Sequence, residues 1–161
     1  MLRVGTVGTS SIMRTIQEAI RLTDGMECRV VYSRTEEQGR AFAAELGVPE
    51  HCTDYAAMLE RSDLDLIDIA SPNRFHVEQA LAALEHGKHV IVEKPAAVTR
   101  GDVQRLIDAA RANGVYFFEA ITTLFMPQYE ACRLLLPKLG RIEQAHITYA
   151  QYSSCLLYTS P

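Results

Sequence analysis

The sequence predicts an α/β fold built as a doubly wound parallel sheet, followed by the start of a second α/β domain. Two observations carry this. Short apolar runs alternate with stretches of helical period, joined by short turns, and parallel strands need such crossover connections. Three of the runs also end in polar or charged groups, at Ser71-Pro72-Asn73, Glu93-Lys94-Pro95 and Glu119-Ala120. In open α/β sheets that carboxyl edge is where ligands bind.

Leu2 to Val7 alternates as a strand, Gly8 to Ser11 is a small-residue turn, and Ile12, Ile16, Ala19 and Ile20 recur at helical spacing. Met26 to Tyr32 is the second strand. Glu36 to Leu46 follows as a polar helix with Ala41, Phe42, Ala44 and Leu46 turned inward, stopped by Gly47 and Pro49. Asp54 caps a short helix carrying Ala57, Met58 and Leu59, and Leu64 to Ala70 is a strand interrupted by Asp65 and Asp68. Asn73 is a natural N-cap for a helix with an apolar stripe of Val77, Ala80, Leu81 and Leu84, ended by Gly87. The strand Val90-Ile91-Val92 then runs into Glu93-Lys94-Pro95. Thr99 with Asp102 forms a capping box before Val103, Leu106, Ile107 and Ala110, closed by Asn113-Gly114, and Val115 to Phe118 is the last strand of the sheet. Beyond Glu119 the register changes: Tyr129 to Leu136 reads as a helix, and Arg141 to Gln151 alternates like an antiparallel strand. The domains expected are 1–122 for the sheet and 123–154 for the truncated start of a second.

The 161 residues hold one good-sized domain and part of another. A net charge of −4 with scattered basic residues leaves no electrostatic footprint for nucleic acid or an anionic membrane. Cys28, Cys52, Cys132 and Cys155 show neither CxxC pairing nor His-linked spacing, so no metal site and no disulfide framework is expected, and a cytoplasmic setting fits. No run is long enough to span a bilayer, and no targeting signal opens the chain.

A phosphate-binding turn of the form G-x-G-x-x-G would fall on Gly8, Ser10 and Met13, keeping one glycine of three. Gly8 supplies the tight turn. Ser10, Ser11 and Ile12 open a helix whose amino terminus favours a pyrophosphate, while Met13 would loosen the packing of helix on strand. The same turn also exists without any ligand. Roughly twenty residues beyond the fingerprint, where NAD-binding chains carry an acidic side chain, this chain has Ser33-Arg34. A guanidinium and a hydroxyl there would receive a 2′-phosphate, which favours NADP over NAD; the alternative is an exposed arginine beside Glu36 and Glu37.

Ser71, Pro72, Asn73 and His76, then Glu93 and Lys94, then Glu119 should face one crevice with the Gly8 turn, since successive strand ends are neighbours. For His76 the alternative is an exposed first-turn residue, and for Glu119 a capping or ion-pairing role beside the sheet. Lys94 ends an apolar strand, where loss of hydration would lower its pKa and suit it to proton work, opposed by Glu93. The alternative is a lysine that snorkels to the surface.

Together Gly8-Thr9-Ser10, Tyr32-Ser33-Arg34, Ser71-Pro72-Asn73 with His76, Gly87-Lys88-His89-Val90 leading to Glu93-Lys94-Pro95, and Glu119-Ala120 resemble the Gfo/Idh/MocA family of NAD(P)-dependent oxidoreductases, through about Ser154. Glu119-Ala120-Ile121 followed by Phe125 and Pro127 is similar to its dihydrodiol and D-xylose dehydrogenase branch, although Leu124 stands where that branch usually has arginine. The resemblance implies a Rossmann domain that binds NADP or NAD, and hydride transfer to or from a hydroxyl or carbonyl carbon of a sugar, polyol or diol. It implies that Lys94 bonds the reacting oxygen and that Glu93 lines the nicotinamide. Ser71, Pro72, Asn73 and His76 would touch the cofactor's ribose and neighbouring groups, and Ser33 and Arg34 would surround the adenosine ribose. It further implies a cis bond between Lys94 and Pro95, a homo-oligomeric full-length parent, and a large carboxyl-terminal domain that this chain lacks, so that Lys94 here faces solvent. His146 does not match the context of the family's catalytic histidine. Residues 155–161, Cys-Leu-Leu-Tyr-Thr-Ser-Pro, look like translated sequencing adapter and are expected to be a non-native tail. Two other readings remain open on the residues alone: a nucleotide-sensing module without chemistry, and an S-adenosylmethionine-dependent methyltransferase.

Overall fold

Strand β1 (Leu2–Val7) lies in the interior of the sheet, and its last four residues are buried. It pairs in parallel with β2 (Met26–Tyr32) on one side and β4 (Leu66–Ile69) on the other. The computed structural model describes residues 1–148. Beyond β2 lies β3 (Glu50–Cys52), and beyond β4 lie β5 (His89–Val92) and β6 (Phe117–Glu119), giving six parallel strands in the order β3-β2-β1-β4-β5-β6. The chain winds one way from β1 to β3 and then the other way from β4 to β6. The reversal leaves a gap above the carboxyl ends of β1 and β4.

Helices cover both faces. On one, α1 (Ser11–Leu22) and α2 (Glu36–Leu46) bury Met13, Phe42 and Ala43 against Val31 and Ala70, with Ile20 against Val4 and Leu66. On the other, α3 (Tyr55–Leu59), α4 (His76–Glu85) and α5 (Arg100–Ala112) pack Met58, Ala80, Leu84 and Leu106 onto Val7, Val30, Ile67, Ile69 and Val90. Strand neighbours such as Val30 and Val31 on β2 thus serve opposite layers, as the period of two requires. Two expected caps form: Asp54 and Thr99 accept from the backbone N–H of Ala57 and Asp102, and Thr35, not singled out in the sequence, caps α2 by accepting from Gln38 N–H.

Several expectations are corrected. In α1 the inward face is Met13, Gln17 and Ile20, whereas Ile12 and Ala19 are exposed; in α2 it is Gly39, Phe42 and Ala43, whereas Ala41 and Ala44 face out. Alanine is apolar enough to fit either face of a helix, so it misplaced both stripes. Asn73 caps no helix: a single 3₁₀ turn (Asn73–Phe75) led by Pro72 precedes α4. The last strand starts later than expected, because the N–H of Val115 still closes the end of α5 on Ala110 O at 3.0 Å. Strand β3 has only three residues, too few to show a period.

The chain divides into two compact units, one being Met1–Ile121 and the other beginning at Thr122. The second contains α6 (Pro127–Leu135), opened by its proline. The strand expected over 141–151 does not form in residues 141–148; the rest of it, and the tail 155–161, lie outside the described residues. No helix among the described residues is long and apolar enough to cross a membrane.

The amino-terminal edge of the sheet is tied by charge. Asp65 accepts from the backbone N–H of Arg3 at 2.8 Å and from its guanidinium at 2.9 and 2.6 Å. These bonds hold its carboxyl well below the usual carboxylate range, with the Lys88 ammonium adding to the effect. Such a group contributes stability above its unfolded-state value of about 4, lost as pH falls through that value toward the folded one. Asp65→Asn is therefore expected to cost about 1–2 kcal/mol at pH 7, in urea denaturation, with the gap to the parent closing below pH ~4. A gap that stays constant with pH would contradict this account.

Candidate functional site

The turn after β1 approaches the end of β4 more closely than a side chain allows. Gly8 has φ of +115°, and a Cβ there would sit 2.7 Å from the backbone oxygen of Ala70. Its N–H bonds Tyr32 O at 3.1 Å. Ser10 stands at the N-cap of α1, but its side chain makes no capping bond, and the first turn holds no acidic residue. The leading N–H groups of α1 are thus left for an anion. Met13 does not loosen this corner: its side chain is wholly buried among Val31, Phe42, Ala43, Val48 and Ala70.

At the end of β2, Ser33 is buried and donates its N–H to Cys52 O at 3.0 Å. Gly39 lets α2 lie close by, since a Cβ there would be 3.2 Å from Ser33 Cβ. Arg34 is exposed and forms no salt bridge among the described residues. Glu36, the nearest carboxylate in sequence that could oppose a phosphate, is instead bonded by His51 Nε2 at 2.7 Å.

A cavity of about 230 Å³ joins these groups, lined by Gly8, Thr9, Ser10, Tyr32, Ser33, Arg34, Gln38, Ser71, Pro72, Phe75 and Gln79 among others. A second, of about 400 Å³, is lined by Ser10, Ile12, Ala70, Ser71, Pro72, Asn73, His76, Glu93 and Lys94. They share Ser10, Ala70, Ser71 and Pro72 and so form one crevice running from Arg34 to Lys94. Of the residues expected here, Ser11 and Glu119 line neither part. Sequence reasoning missed Thr9, Tyr32, Gln38, Phe75 and Gln79. Thr9 and Tyr32 sat inside motifs already singled out, whereas Gln79 enters only through the Ser71 hydroxyl, which it accepts at 2.6 Å.

At the far end, Lys94 is not dehydrated: its side chain is 64% exposed, with Nζ 3.7 Å from Glu93 Oε2. The Lys94-Pro95 bond is cis. Glu93 is largely covered, at 13% side-chain exposure. His76 is the reverse of an exposed first-turn residue: it is 1% exposed, with Nδ1 2.9 Å from Pro95 O and Nε2 2.8 Å from Ser71 O. Both ring nitrogens thus meet backbone carbonyls, which leaves no free polar atom for a ribose. Glu119 Oε1 accepts the N–H of Ala96 at 2.9 Å. Among the described residues no group of three or more His, Cys, Asp or Glu could hold a metal ion.

Residues 2–121 match the Gfo/Idh/MocA oxidoreductase family, whose description is an NAD-binding Rossmann fold. The chain belongs to this family. It is 36% identical over 154 residues to the scyllo-inositol 2-dehydrogenase (NADP(+)) IolU of Bacillus subtilis, covering 96% of this chain and 47% of that protein. It is 28% identical over 159 residues to trans-1,2-dihydrobenzene-1,2-diol dehydrogenase of Bos taurus, covering 98% of this chain and 47% of that one. Among solved structures, a 3-ketoreductase from Actinomadura kijaniata in complex with NADP and TDP-benzene superposes with a TM-score of 0.80 at 30% identity, covering 85% of this chain and 42% of that one. This member of the Gfo/Idh/MocA family spans about half the length of the curated relatives it matches.

One buried group of the sheet has no place in the crevice. Asp68 on β4 is 6% exposed and its Oδ1 has no partner among the described residues. Burial, and then the neighbouring Glu93 charge, push its carboxyl up to about 7; Cys28 is the other titratable group that senses it. A carboxyl raised in the folded state contributes its stability at low pH and loses it as pH rises from about 4 through the folded value. Asp68→Asn is thus expected to gain on the parent between pH 5 and pH 8, by on the order of 2 kcal/mol in urea denaturation. A difference independent of pH would be contrary to this.

Proposed function

We propose that the crevice binds a nicotinamide dinucleotide, with NADP preferred over NAD, and that the chain is the cofactor-binding half of a dehydrogenase. The observation that carries the reading is the single crevice from Arg34 to Lys94, crossing the one point where the absence of a Cβ, at Gly8, brings the turn against Ala70. That cradle suits a pyrophosphate: backbone N–H groups of Ser10, Ser11 and Ile12 lie at the uncapped start of α1. Ser33 and Arg34 would hold the adenosine 2′-phosphate, to which the unpaired guanidinium can offer two parallel bonds. Ser71, Pro72 and Asn73 would wall the ribose on the nicotinamide side, and Glu93 and Lys94 would border the ring.

When bound, the nicotinamide gives or takes the hydride. Lys94 would hydrogen-bond the oxygen on the reacting carbon of a sugar, polyol or diol. From its Nζ it would take up the proton that oxygen loses as the hydride leaves, and in the reverse direction it would stabilise the negative charge developing on the oxygen and return the same proton to give the alcohol. We assign 123–154 to the start of a further domain. The full-length parent is inferred to be a cytoplasmic homo-oligomer. Neither a methyltransferase nor a sensing module is favoured beside the oxidoreductase family match.

Titration of the chain with NADPH, NADH and S-adenosylmethionine, following nicotinamide fluorescence for the first two and calorimetry for the third, tests the assignment. NADPH is expected to bind most tightly, and Arg34→Ala to weaken it about 10- to 100-fold while changing NADH little. Binding of S-adenosylmethionine alone would overturn the proposal, and equal loss of NADPH and NADH would remove Arg34 from the phosphate. In a full-length parent Lys94→Met should lower kcat about 100-fold or more; unchanged kcat would exclude Lys94 from the chemistry.

A further inference from the structure

The peptide unit that follows Lys94-Pro95 is held at both of its polar ends by side chains from distant parts of the sequence. Its carbonyl, on Pro95, lies 2.9 Å from Nδ1 of His76, and its N–H, on Ala96, donates to Glu119 Oε1 at 2.9 Å. His76 opens α4, which follows β4, and Glu119 ends β6; these strands flank β5 on its two sides. His76 and Ala96 are 1% and 2% exposed whereas Glu119 is exposed, so the histidine end of the grip is the one shielded from water. On the upstream side Glu93 N–H is fixed on Ile69 O at 2.8 Å by the strand ladder. Lys94 therefore lies between two pinned peptide units, and the ring of Pro95 removes one further rotation, its φ. The other nitrogen of His76 lies 2.8 Å from Ser71 O; a neutral ring carries one N–H, and the tautomer with it on Nδ1 is the one that donates to Pro95 O.

We propose that His76 and Glu119 are positioning residues that aim Lys94 by clamping the Pro95-Ala96 peptide from its two ends. Neither has to touch cofactor or substrate. The inference rests on the reading of the crevice as a nicotinamide dinucleotide site, because that reading says what Lys94 is aimed at. It differs from a merely structural role in what it leaves alone: among the described residues neither His76 nor Glu119 bonds to Gly8, Ser10, Ser33 or Arg34 at the adenosine end of the crevice.

The experiment uses the whole chain, isotopically labelled, and two ligands: NADPH, which reaches both ends of the crevice, and adenosine 2′,5′-bisphosphate, which fills the adenosine end alone. Glu119 is exposed, so Glu119→Ala should keep the fold. Amide exchange at Ala96 is expected to rise about fivefold or more, with a shifted Lys94 side-chain resonance. The NADPH dissociation constant should rise about tenfold while that of the bisphosphate stays within about twofold. Glu119→Gln keeps an acceptor oxygen and should restore both, and His76→Gln should reproduce the alanine pattern in part. Unchanged exchange at Ala96 in Glu119→Ala, or equal weakening of both ligands, would overturn the clamp. If the parent chain bound neither ligand, the cofactor reading would fall first, whatever the exchange at Ala96.

Discussion

The pairing of β1 with both β2 and β4 is the constraint on which the other features depend. Because β1 is hydrogen-bonded on each side, the chain has to leave it in one direction and return to β4 from the other. Helices α1 and α4 consequently lie on opposite faces, and no helix of the Met1–Ile121 unit covers the carboxyl ends of β1 and β4 between them. Gly8 is the local expression of that geometry. With a side chain there, the turn would collide with Ala70 backbone rather than with a flexible group that could move aside, and the two halves of the crevice would not meet.

Charge is distributed unequally between the two edges of the sheet. At the amino-terminal edge it is spent on structure: Arg3 is bound by Asp65, Arg61 by Glu50 and Asp63, and the Lys88 ammonium donates to Arg61 O and Leu64 O. At the carboxyl edge Arg34 has no ionic partner among the described residues, and Lys94 has only Glu93 at 3.7 Å. Exposed cations without short-range partners keep their donors for an incoming ligand. Two polar groups of that edge with structural partners, His76 and Glu119, hold backbone in place beside those cations.

Much of this was legible in the sequence, and the rest was hidden for physical reasons. Strands β1, β2, β4 and β5 were visible because buried parallel strands are rich in Val, Ile and Leu, β6 because Phe117 and Phe118 follow the Asn113-Gly114 break, while β3 is too short for any pattern. The faces of α1 and α2 were misread where alanine and isoleucine offered two equally apolar stripes, and the choice was made by Met13 fitting under Val31 and Phe42. Gly8, Ser10, Ser33, Arg34, Ser71, Pro72, Glu93 and Lys94 were found from their positions at strand ends, which follow from topology. The surroundings of His76 were not found that way. Its burial depends on a loop 19 residues away, and sequence spacing holds no record of a contact between separate loops.

The central claim, that one continuous crevice takes a nicotinamide dinucleotide from Arg34 to Lys94, is tested most directly by mapping amide and side-chain NMR shifts of the chain as NADPH is added. The account predicts that the perturbed residues trace the crevice, including Gly8, Ser10, Ser33, Arg34, Ser71, Glu93 and Lys94. Perturbations confined to another surface, or reaching Arg34 without crossing Gly8 to Lys94, would contradict it.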